Sequence, residues 1–571
     1  MKKRKKSPFF ADVIIDAFRD IYLAGEDLPK YVDFYAGKDK LDKLDVKKNQ
    51  IIFGRRGTGK THCLKAFDEK INQINGCKYS IYISCLDIVS GSSIDMNGYS
   101  QEAKYNHIAS LYFKKFLHKF VDNLLSCHQE WIKDIKKKDV AANIFEKKIL
   151  DELIHGSMRG SSQIVRRNAT TSMQTQNKAS VGLNLTTLIM GGLSAKYDKI
   201  DNQEEIIEQQ YNYSTDLSKI REGLDEYLKL CGIKRLYVCI DEWSELDKSC
   251  NTSIQQLFAQ KLKQIFLKSQ FVSVKIASIW ALTEMNDKSL YGRFSGGMEL
   301  TQDIYKTLDL DTLFFKDEVS IANFLKSLLF KRFVNYCNDQ TREEFCKNDD
   351  PENFLIEEIF ETKANFNILV SASHGVPRDF LELLDRCLLH IGKDLVSYSI
   401  NRNVIEEVSV EFYLNEKRNL ISGNNMLTSF IGIVDEYLEK HKVRFFVVDN
   451  NEVKMTAELM ELVDKKFLHQ LPSSLINRKI RNKYKVFLID YGCYWDWLKS
   501  RKIKAIDTIS PVLALSDEQI ENIENYVLER ELTSYLRCEE CGKTIPLDNP
   551  VYVRQRVCYH CGAKIVETTE E

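Results

Sequence analysis

Three apolar runs in the first half of the chain predict buried β-strands. Residues 51–53 lead into a glycine-rich segment, residues 236–240 end in two acidic residues, and residues 271–280 carry apolar side chains at alternate positions. The continuous apolar run at residues 236–240 suits a central strand that is buried on both faces of a parallel sheet. The pattern predicts an α/β fold built on a parallel sheet.

Other regions of the chain show a different spacing of apolar residues. Residues 103–154 carry apolar side chains at helical spacing, which predicts long helices. Residues 161–180 are polar and predict a loose loop, and residues 181–197 alternate around Gly191-Gly192, which favours a β-hairpin. Residues 424–499 combine a helix with strands near 443–448 and 486–491, a mix typical of a winged-helix-like domain.

A phosphate-binding motif follows the first predicted strand directly. Residues 54–61 read G-R-R-G-T-G-K-T, which matches G-x-x-x-x-G-K-[ST], and helical spacing follows. In this context the backbone N–H groups and the helix start bind nucleotide phosphates. We expect Lys60 to contact the β- and γ-phosphates of ATP and the Thr61 hydroxyl to bind Mg²⁺. The other residues of the loop expected to bind the nucleotide are Gly54, Gly57, Thr58 and Gly59.

Two acidic residues end the second predicted strand, at the edge where open α/β sheets bind ligands. Asp241 is the candidate Mg²⁺ partner, and Glu242 is the candidate base that activates the attacking water. Two acids that merely end a strand at solvent are the alternative, which the complete phosphate loop disfavours. Trp243 is expected in the core, and a helix is expected to begin there with Ser244 as its cap.

Arg293 is a candidate arginine finger. It follows the third predicted strand, and it could stabilise the transition-state charge on the γ-phosphate held by a neighbouring subunit. A surface salt bridge is an equal alternative. At the end of the same strand, Thr283 or Asn286 is a candidate contact for the attacking water, and a polar surface turn explains these residues equally well.

From residue 26 to about residue 390, the order of motifs resembles the origin-recognition (ORC) branch of the AAA+ ATPases. Residues 54–61 match its phosphate loop, residues 240–242 its acidic strand, and residues 311–333 its link into a helical lid. Residues 373–381 (SHGVPRDFL) resemble the lid motif that presents a second sensing arginine. The resemblance implies that Arg378 touches bound nucleotide. A cation in the first turn of a helix is disfavoured by the helix dipole, and a nearby phosphate would explain it; a solvated arginine is the alternative.

The chain departs from that family by an insertion. About 180 residues separate Thr61 from Asp241, and the excess lies near residues 98–211, where a partner protein, a neighbouring subunit or DNA could bind. The predicted division is a basic segment (1–25), the nucleotide-binding domain with its insertion (26–310), a helical lid (311–400), a winged-helix-like domain (401–515), and a helix with a zinc ribbon (516–571).

Four of the 15 cysteines lie close together near the C-terminus. Cys538 and Cys541 form one C-x-x-C pair, Cys558 and Cys561 form a second, and 16 residues separate the pairs. This spacing is typical of structural zinc, which four thiolates bind tetrahedrally. Because four protein ligands close the site, the predicted Zn²⁺ is structural rather than catalytic.

Charge and hydropathy limit the partners. The 571 residues carry a formal net charge of −1, so any DNA contact needs a local basic patch. One candidate is the run Arg478, Lys479, Arg481, Lys483 and Lys485, for which a solvated helix face is the alternative. No secretory signal is visible, and no run reaches the ~18 apolar residues that a membrane span needs, so a cytoplasmic location without membrane contact is expected.

These features predict an ATP-hydrolysing AAA+ machine of origin-recognition type that uses ATP, Mg²⁺ and Zn²⁺ and acts on or near DNA, with bacterial genome maintenance or defence as a contextual guess. The alternative is an ATP-driven oligomerisation or signalling switch that recruits a protein effector, which the near-zero net charge favours. Self-association or a partner protein is expected in either case. The intact Lys60, Thr61, Asp241 and Glu242 disfavour a scaffold with inactive ATPase chemistry.

Overall fold

The computed structural model describes residues 8–19, 30–74, 76–89, 101–131, 143–150, 217–247, 253–279, 302–311, 316–391, 399–420, 425–449, 457–504 and 515–528. It also describes short pieces at 28, 140–141, 282–283, 285, 297–299, 512, 535–537, 544–546, 557 and 561–564.

Five parallel strands form the central sheet, in the order β2-β3-β4-β1-β5. They are β1 (Gln50–Phe53), β2 (Lys78–Ser84), β3 (Arg235–Asp241), β4 (Val272–Ser278) and β5 (Lys306–Asp309). The register sets Ser84 opposite Asp241, and Phe53 opposite Ser278. The carboxyl ends of four strands therefore meet at one edge, with β4 between the strand of the phosphate loop and the acidic strand.

The sheet divides two apolar cores, and the alternation of side chains along each strand explains the division. Ile52 and Cys239 face one core, which continues into the helical and C-terminal units. Ile51 and Ile240 face the other core, which packs beneath the long helix that follows β2. Both faces are covered, as the continuous apolar runs predict.

The helices surround this sheet and continue beyond it. They are α1 (Pro8–Arg19), α2 (Tyr31–Phe34), α3 (Lys60–Gln73), α4 (Leu86–Val89), α5 (Gln101–Trp131), α6 (Leu217–Leu230), α7 (Ser253–Leu262), α8 (Glu318–Tyr336), α9 (Asp339–Cys346), α10 (Pro351–Ile359), α11 (Lys363–Ala372), α12 (Pro377–Ile391), α13 (Arg402–Phe412), α14 (Asn425–Ile433), α15 (Ala457–Asp464), α16 (Arg478–Arg481), α17 (Tyr491–Arg501) and α18 (Asp517–Glu521). Helices α8 to α12 occupy the region predicted as a helical lid.

A buried lysine fixes the entry of β1. Lys275 lies in β4 and is fully buried. Its Nζ donates to the Val46 carbonyl at 3.0 Å, the Lys48 carbonyl at 2.8 Å and Gln50 Oε1 at 2.5 Å. An ammonium has three N–H donors, and these three acceptors satisfy them. The segment before the phosphate-loop strand is thereby tied to the middle of the sheet.

The C-terminal unit contains an antiparallel sheet in the order β6-β8-β7, formed by β6 (Phe445–Asp449), β7 (Leu468–Gln470) and β8 (Tyr484–Ile489). The last strand ends earlier than the predicted 486–491. The Asp490 side chain accepts from the backbone N–H groups of Gly492 and Cys493, so it caps α17 and ends the strand. Further along the chain, β9 (Tyr535–Arg537) and β10 (Thr544–Pro546) form an antiparallel pair.

The predicted α/β class with a parallel sheet is confirmed. The first part of the insertion contains α5 and a π-helical segment, Phe145–Leu150. The loop predicted at 161–180 and the hairpin predicted at 181–197 lie outside the described residues. Within the part of the chain that the structure describes, no helix has the length and apolar character needed to cross a bilayer.

Candidate functional site

The loop between β1 and α3 has the backbone that its glycines predict. Gly57 and Gly59 have φ of 86° and 89°, a region that favours glycine. Thr58 is buried, and its Oγ1 donates to the Arg55 carbonyl at 2.9 Å, which closes the loop on itself. Arg55 in turn bonds to Asp311 through both its backbone N–H and its Nε, at 2.9 and 3.0 Å. The loop is therefore held from within and from the segment after β5.

Lys60 begins α3, and its Nζ donates to the carbonyls of Gly54 and Arg55, both at 2.9 Å. Burial lowers the pKa of Lys60, Asp311 and Asp241 oppose the shift, and Arg378 and Arg56 add to it; the resulting pKa is about 8. A group with this pKa remains mostly protonated at neutral pH. An anion beside it would favour the charged form further.

Asp241 ends β3 and is 1% exposed. Its carboxylate accepts from the Tyr82 hydroxyl at 2.7 Å and from the backbone N–H of Glu242 at 2.9 Å. Burial, followed by the charge of Asp241, raises the pKa of Tyr82, so the hydroxyl stays a donor. Asp241 and Thr61 line the same cavity, and hard oxygen donors of this kind suit Mg²⁺, which usually keeps several waters as well. The residues present therefore fit the predicted metal.

Glu242 adopts a left-handed backbone, with φ of 54°. Its carboxylate accepts from the Ser84 hydroxyl at 2.9 Å. Burial raises the pKa of Glu242, the charges of Asp241 and Glu245 raise it further, and the Ser84 hydrogen bond opposes the shift. A non-glycine residue in this region carries strain, which is common at functional sites. The site thus holds a carboxylate with increased basicity.

A helical segment does begin at Trp243, but it is a single 3₁₀ turn, Trp243–Leu246. The prediction that Ser244 caps it is wrong, because Ser244 lies inside the turn and is buried without capping it. Trp243 is fully buried, as expected, and its Nε1 donates to Gln255 at 3.1 Å.

Ser84 holds the Glu242 carboxylate, a contact that the sequence analysis missed. Because its hydroxyl lowers the pKa of Glu242, Ser84→Ala is expected to move the acidic limb of the ATP turnover–pH profile to higher pH. The measurement is turnover between pH 5.5 and 8.5. Ser80→Ala is the control, since Ser80 lies on the same strand and contacts Cys239. Superimposable profiles for wild type and Ser84→Ala would contradict the assignment.

The lid meets the phosphate loop through α12. The Arg378 backbone N–H donates to the Gly57 carbonyl at 3.2 Å. A Cβ at Gly57 would lie 2.9 Å from Val376 Cγ1 and 3.0 Å from Arg378 Cβ, so only glycine fits under the lid turn. Arg378 lies in the first turn of its helix, as predicted, and it is close enough to Lys60 to lower the pKa of that lysine.

A cavity of about 540 Å³ brings the predicted residues together. Its lining includes Lys60, Thr61, Asp241, Glu242 and Arg378. A cavity of this volume is in the range of small-molecule and cofactor sites. It extends between α8 and α12 to Tyr35 and Ala36 on the segment before β1.

The C-terminal unit also reaches this cavity, which the sequence did not predict. Lys466 lines it and donates to Asp379 of α12 at 2.5 Å. Two further contacts lie nearby: Arg56 of the phosphate loop pairs with Asp464, and the His374 and His469 rings stack with centroids 3.6 Å apart.

Other predicted site residues are only partly described. Arg293, Cys538, Cys541 and Cys558 lie outside the described residues, and Cys561 is exposed. Within the described ranges, no three His, Cys, Asp or Glu side chains form a cluster suited to a metal ion. Ser278, at the end of β4, lines the cavity. Thr283 follows it in the chain, and its hydroxyl donates to the Ile279 carbonyl.

Comparison with known proteins gives only weak similarities. No protein-family model matches the sequence, and no curated protein matches it. Drosophila ORC bound to DNA matches with 10% identity and a TM-score of 0.29, over 88% of this chain and 94% of that one. A Walker-type ATPase of Pyrococcus abyssi matches with 14% identity and a TM-score of 0.33, over 83% of this chain and 99% of that one. The Aeropyrum pernix ORC1 protein in complex with DNA matches with 11% identity and a TM-score of 0.30, over 83% of this chain and 97% of that one. These values are too low to assign the chain to a family.

Proposed function

We propose that the protein is an ATP-hydrolysing P-loop ATPase of the AAA+ type that works on or near DNA. One observation supports the ATPase part of this proposal. A phosphate loop, a cation at a helix start, two strand-end carboxylates and a lid arginine converge on one cavity. These are the parts that phosphoryl transfer to water requires, since the chemistry depends on positioning and on charge stabilisation.

Each residue then has a chemical role. Lys60 and the loop N–H groups bind the phosphate oxygens of ATP. The Glu242 carboxylate takes a proton from water as the water oxygen attacks the γ-phosphorus and the bond to the ADP oxygen breaks. Arg378 stabilises negative charge from the lid side. Thr61 and Asp241 would hold Mg²⁺, which neutralises charge on the phosphates when bound.

Support for DNA comes from the C-terminal unit. Arg478, Lys479, Arg481 and Lys483 are exposed in the connection between β7 and β8, and Ile480 is buried beneath them. Lys483 pairs with Glu524 at 2.6 Å, which neutralises part of the patch. When exposed cations of this kind bind the phosphates of a nucleic acid, the counterions of those phosphates are released.

The test is ATP turnover and DNA affinity of the full chain with duplex DNA at several salt concentrations. DNA is expected to change the turnover rate at low salt. Reversing two charges, in Arg478→Glu with Lys479→Glu, should reduce the slope of log affinity against log salt by roughly two, at about 0.9 per phosphate contact. The control pair is Lys347→Glu with Lys363→Glu on exposed lid positions. Equal slopes for both pairs would remove the DNA assignment.

A second candidate is an ATP-driven switch that recruits a protein. Residues 85–234 leave the sheet directly after Ser84, whose hydroxyl holds Glu242. A partner that binds the start of this connection would act close to the Ser84–Glu242 hydrogen bond. Turnover that depends on Glu242, ignores DNA at every salt concentration, and accompanies ATP-dependent oligomerisation would favour this function.

We also propose that the four C-terminal cysteines bind one structural Zn²⁺. Two antiparallel contacts support it: Arg537 faces Thr544, and Val557 faces Lys564. In each case the first residue precedes a C-x-x-C-G sequence and its partner follows it by the same offset. A hairpin that closes in the same way around each C-x-x-C pair is typical of zinc knuckles.

Metal analysis of the purified chain is expected to find about one zinc per molecule, and the double variant Cys538→Ser with Cys558→Ser is expected to have lost it. Cys346→Ser is the control, because Cys346 is an exposed lid cysteine. Unchanged zinc content in the double variant would show that the metal, if present, is held elsewhere.

A further inference from the structure

One face of β2 carries three side chains with a hydroxyl group. Successive residues of a strand point to opposite faces, so Ser80, Tyr82 and Ser84 share one face, whereas Ile81 and Ile83 share the other. The two isoleucines are buried in the core beneath the long helix α5. A sheet that is covered on both faces is ordinarily apolar on both. The row of hydroxyl groups therefore calls for a functional explanation.

Two of these hydroxyl groups reach the acidic end of β3. The strand register sets Tyr82 opposite Cys239 and Ser84 opposite Asp241. The long Tyr82 side chain extends past its register partner, and its hydroxyl donates to Asp241 Oδ2 at 2.7 Å. The short Ser84 side chain donates to Glu242 at 2.9 Å. Tyr82 is thus the β2 side chain that contacts the candidate Mg²⁺ partner.

The Asp241 carboxylate is held through both of its oxygens. Oδ1 accepts from the backbone N–H of Glu242 at 2.9 Å, and Oδ2 accepts from Tyr82. One hydrogen bond on each oxygen fixes the plane of the carboxylate, and each oxygen keeps a second lone pair for a further partner. Because both of these donors are neutral, the negative charge of Asp241 remains available to a cation in the cavity that it lines.

A cation of α3 contacts the ring of the same tyrosine. Lys65 lies four residues after Thr61 on this helix, and its Nζ lies 5.7 Å from the centroid of the Tyr82 ring. This Nζ also donates to the Tyr31 hydroxyl at 3.0 Å. An ammonium within about 6 Å of a ring centroid is attracted to the ring. Tyr82 therefore contacts both elements that carry the predicted Mg²⁺ ligands, β3 through its hydroxyl and α3 through its ring.

We propose that Tyr82 is a positioning residue for the metal, whose hydroxyl fixes the Asp241 carboxylate in the orientation that binds Mg²⁺ and so sets the affinity for the metal. This role rests on the proposed ATPase function. Mg²⁺ requires near-ideal octahedral geometry, so a carboxylate that is free to rotate binds it less well. Groups that hydrogen-bond to a metal-binding carboxylate orient it in this way. A hydroxyl that only satisfied a buried carboxylate would stabilise the unliganded fold without affecting the metal.

The test uses Tyr82→Phe, which removes the hydroxyl and keeps the ring. ATP binding to the full chain is measured by calorimetry with EDTA and across a series of free Mg²⁺ concentrations. The Mg²⁺ concentration that gives half of the metal effect is expected to rise about 10–100-fold, while the affinity for metal-free ATP stays unchanged. Tyr237→Phe is the matched control, because it removes a β3 hydroxyl that donates to a different carboxylate, Asp45, at 2.5 Å. Its Mg²⁺ dependence should equal that of the wild type.

A second comparison tests whether Tyr82 acts through Asp241. Adding Tyr82→Phe to Asp241→Asn is expected to change the Mg²⁺ dependence by less than about twofold, because residues that act through one contact are not additive. This comparison also serves if Tyr82→Phe alone does not fold, since the double variant has no charge at residue 241 that needs the hydroxyl.

Three outcomes would overturn the role of Tyr82. An unchanged Mg²⁺ dependence in Tyr82→Phe, with or without a lower melting temperature, would make the contact structural only. Weaker binding of metal-free ATP would show that the tyrosine supports the phosphate loop instead. A further loss of Mg²⁺ affinity in the double variant would show that it acts independently of Asp241. A wild-type chain that binds ATP neither with nor without Mg²⁺ would refute the proposed ATPase function itself.

Discussion

Glu242→Gln is expected to lower the ATP turnover number by about 10²–10⁴-fold, because the amide cannot accept a proton from the attacking water. The amide keeps the size of the side chain and can still accept from the Ser84 hydroxyl. ATP affinity should therefore be retained, which separates a loss of chemistry from a loss of binding. The measurement is turnover under saturating ATP, with affinity measured on the same preparation.

Glu245→Gln is the matched control for this substitution. Glu245 lines the same cavity one turn further along and raises the pKa of Glu242. We expect its turnover to change only a few-fold, with the acidic limb of the pH profile displaced to lower pH. If Glu245→Gln abolished turnover and Glu242→Gln did not, the base would have to be reassigned.

Lys60→Ala is expected to weaken ATP binding by about 100-fold or more, because it removes the ammonium that contacts two phosphates. The pH dependence gives a sharper test. The pKa of Lys60 is about 8, and phosphate contact raises it, so binding above this pH requires uptake of a proton. The affinity of the wild type should be nearly constant below pH 7.5 and fall as the pH rises through 8, whereas Lys60→Ala should lose this dependence.

Lys70→Ala is the control on the same helix, since Lys70 pairs with Asp42 at the far end of α3. Titration of ATP at pH 7 and pH 9 by calorimetry measures both effects. An unchanged pH dependence in Lys60→Ala would mean that another group takes up the proton.

The phosphate loop and the acidic strand could be predicted because their signals are local. The pattern of residues 54–61 and the strand before it lie within about a dozen positions, and the apolar run before Asp241 has only one plausible environment. Backbone geometry agrees with the prediction at Gly57 and Gly59, where the motif requires glycine.

The rest of the site depends on contacts between distant segments. Ser84 and Glu242 are 158 positions apart, and Arg56 and Asp464 are 408 positions apart. Sequence spacing carries no information about such pairs. One signal could have pointed to Ser84: it is a polar residue at the end of β2, and the carboxyl ends of parallel strands meet at one edge of a sheet. No local signal marks Lys466.

The predicted cap at Ser244 failed for a related reason. Ser244 suits a helix cap by composition, but Trp243 has a buried hydrogen-bond partner in Gln255 and packs at 5.4 Å from the Phe258 ring. Burying the indole contributes more free energy than one cap, which is worth roughly 1 kcal/mol. Tertiary packing therefore decided the local conformation.

The C-terminal unit makes three contacts around the candidate cavity: Asp464 pairs with Arg56 of the loop after β1, Lys466 pairs with Asp379, and His469 stacks on His374. Arg56 belongs to the predicted phosphate loop, and both Arg56 and Lys466 line the cavity. Docking of that unit and occupancy of the cavity are therefore linked equilibria. By thermodynamic reciprocity, any ligand of the C-terminal unit that alters these contacts changes ATP affinity by the same factor by which ATP changes the affinity for that ligand.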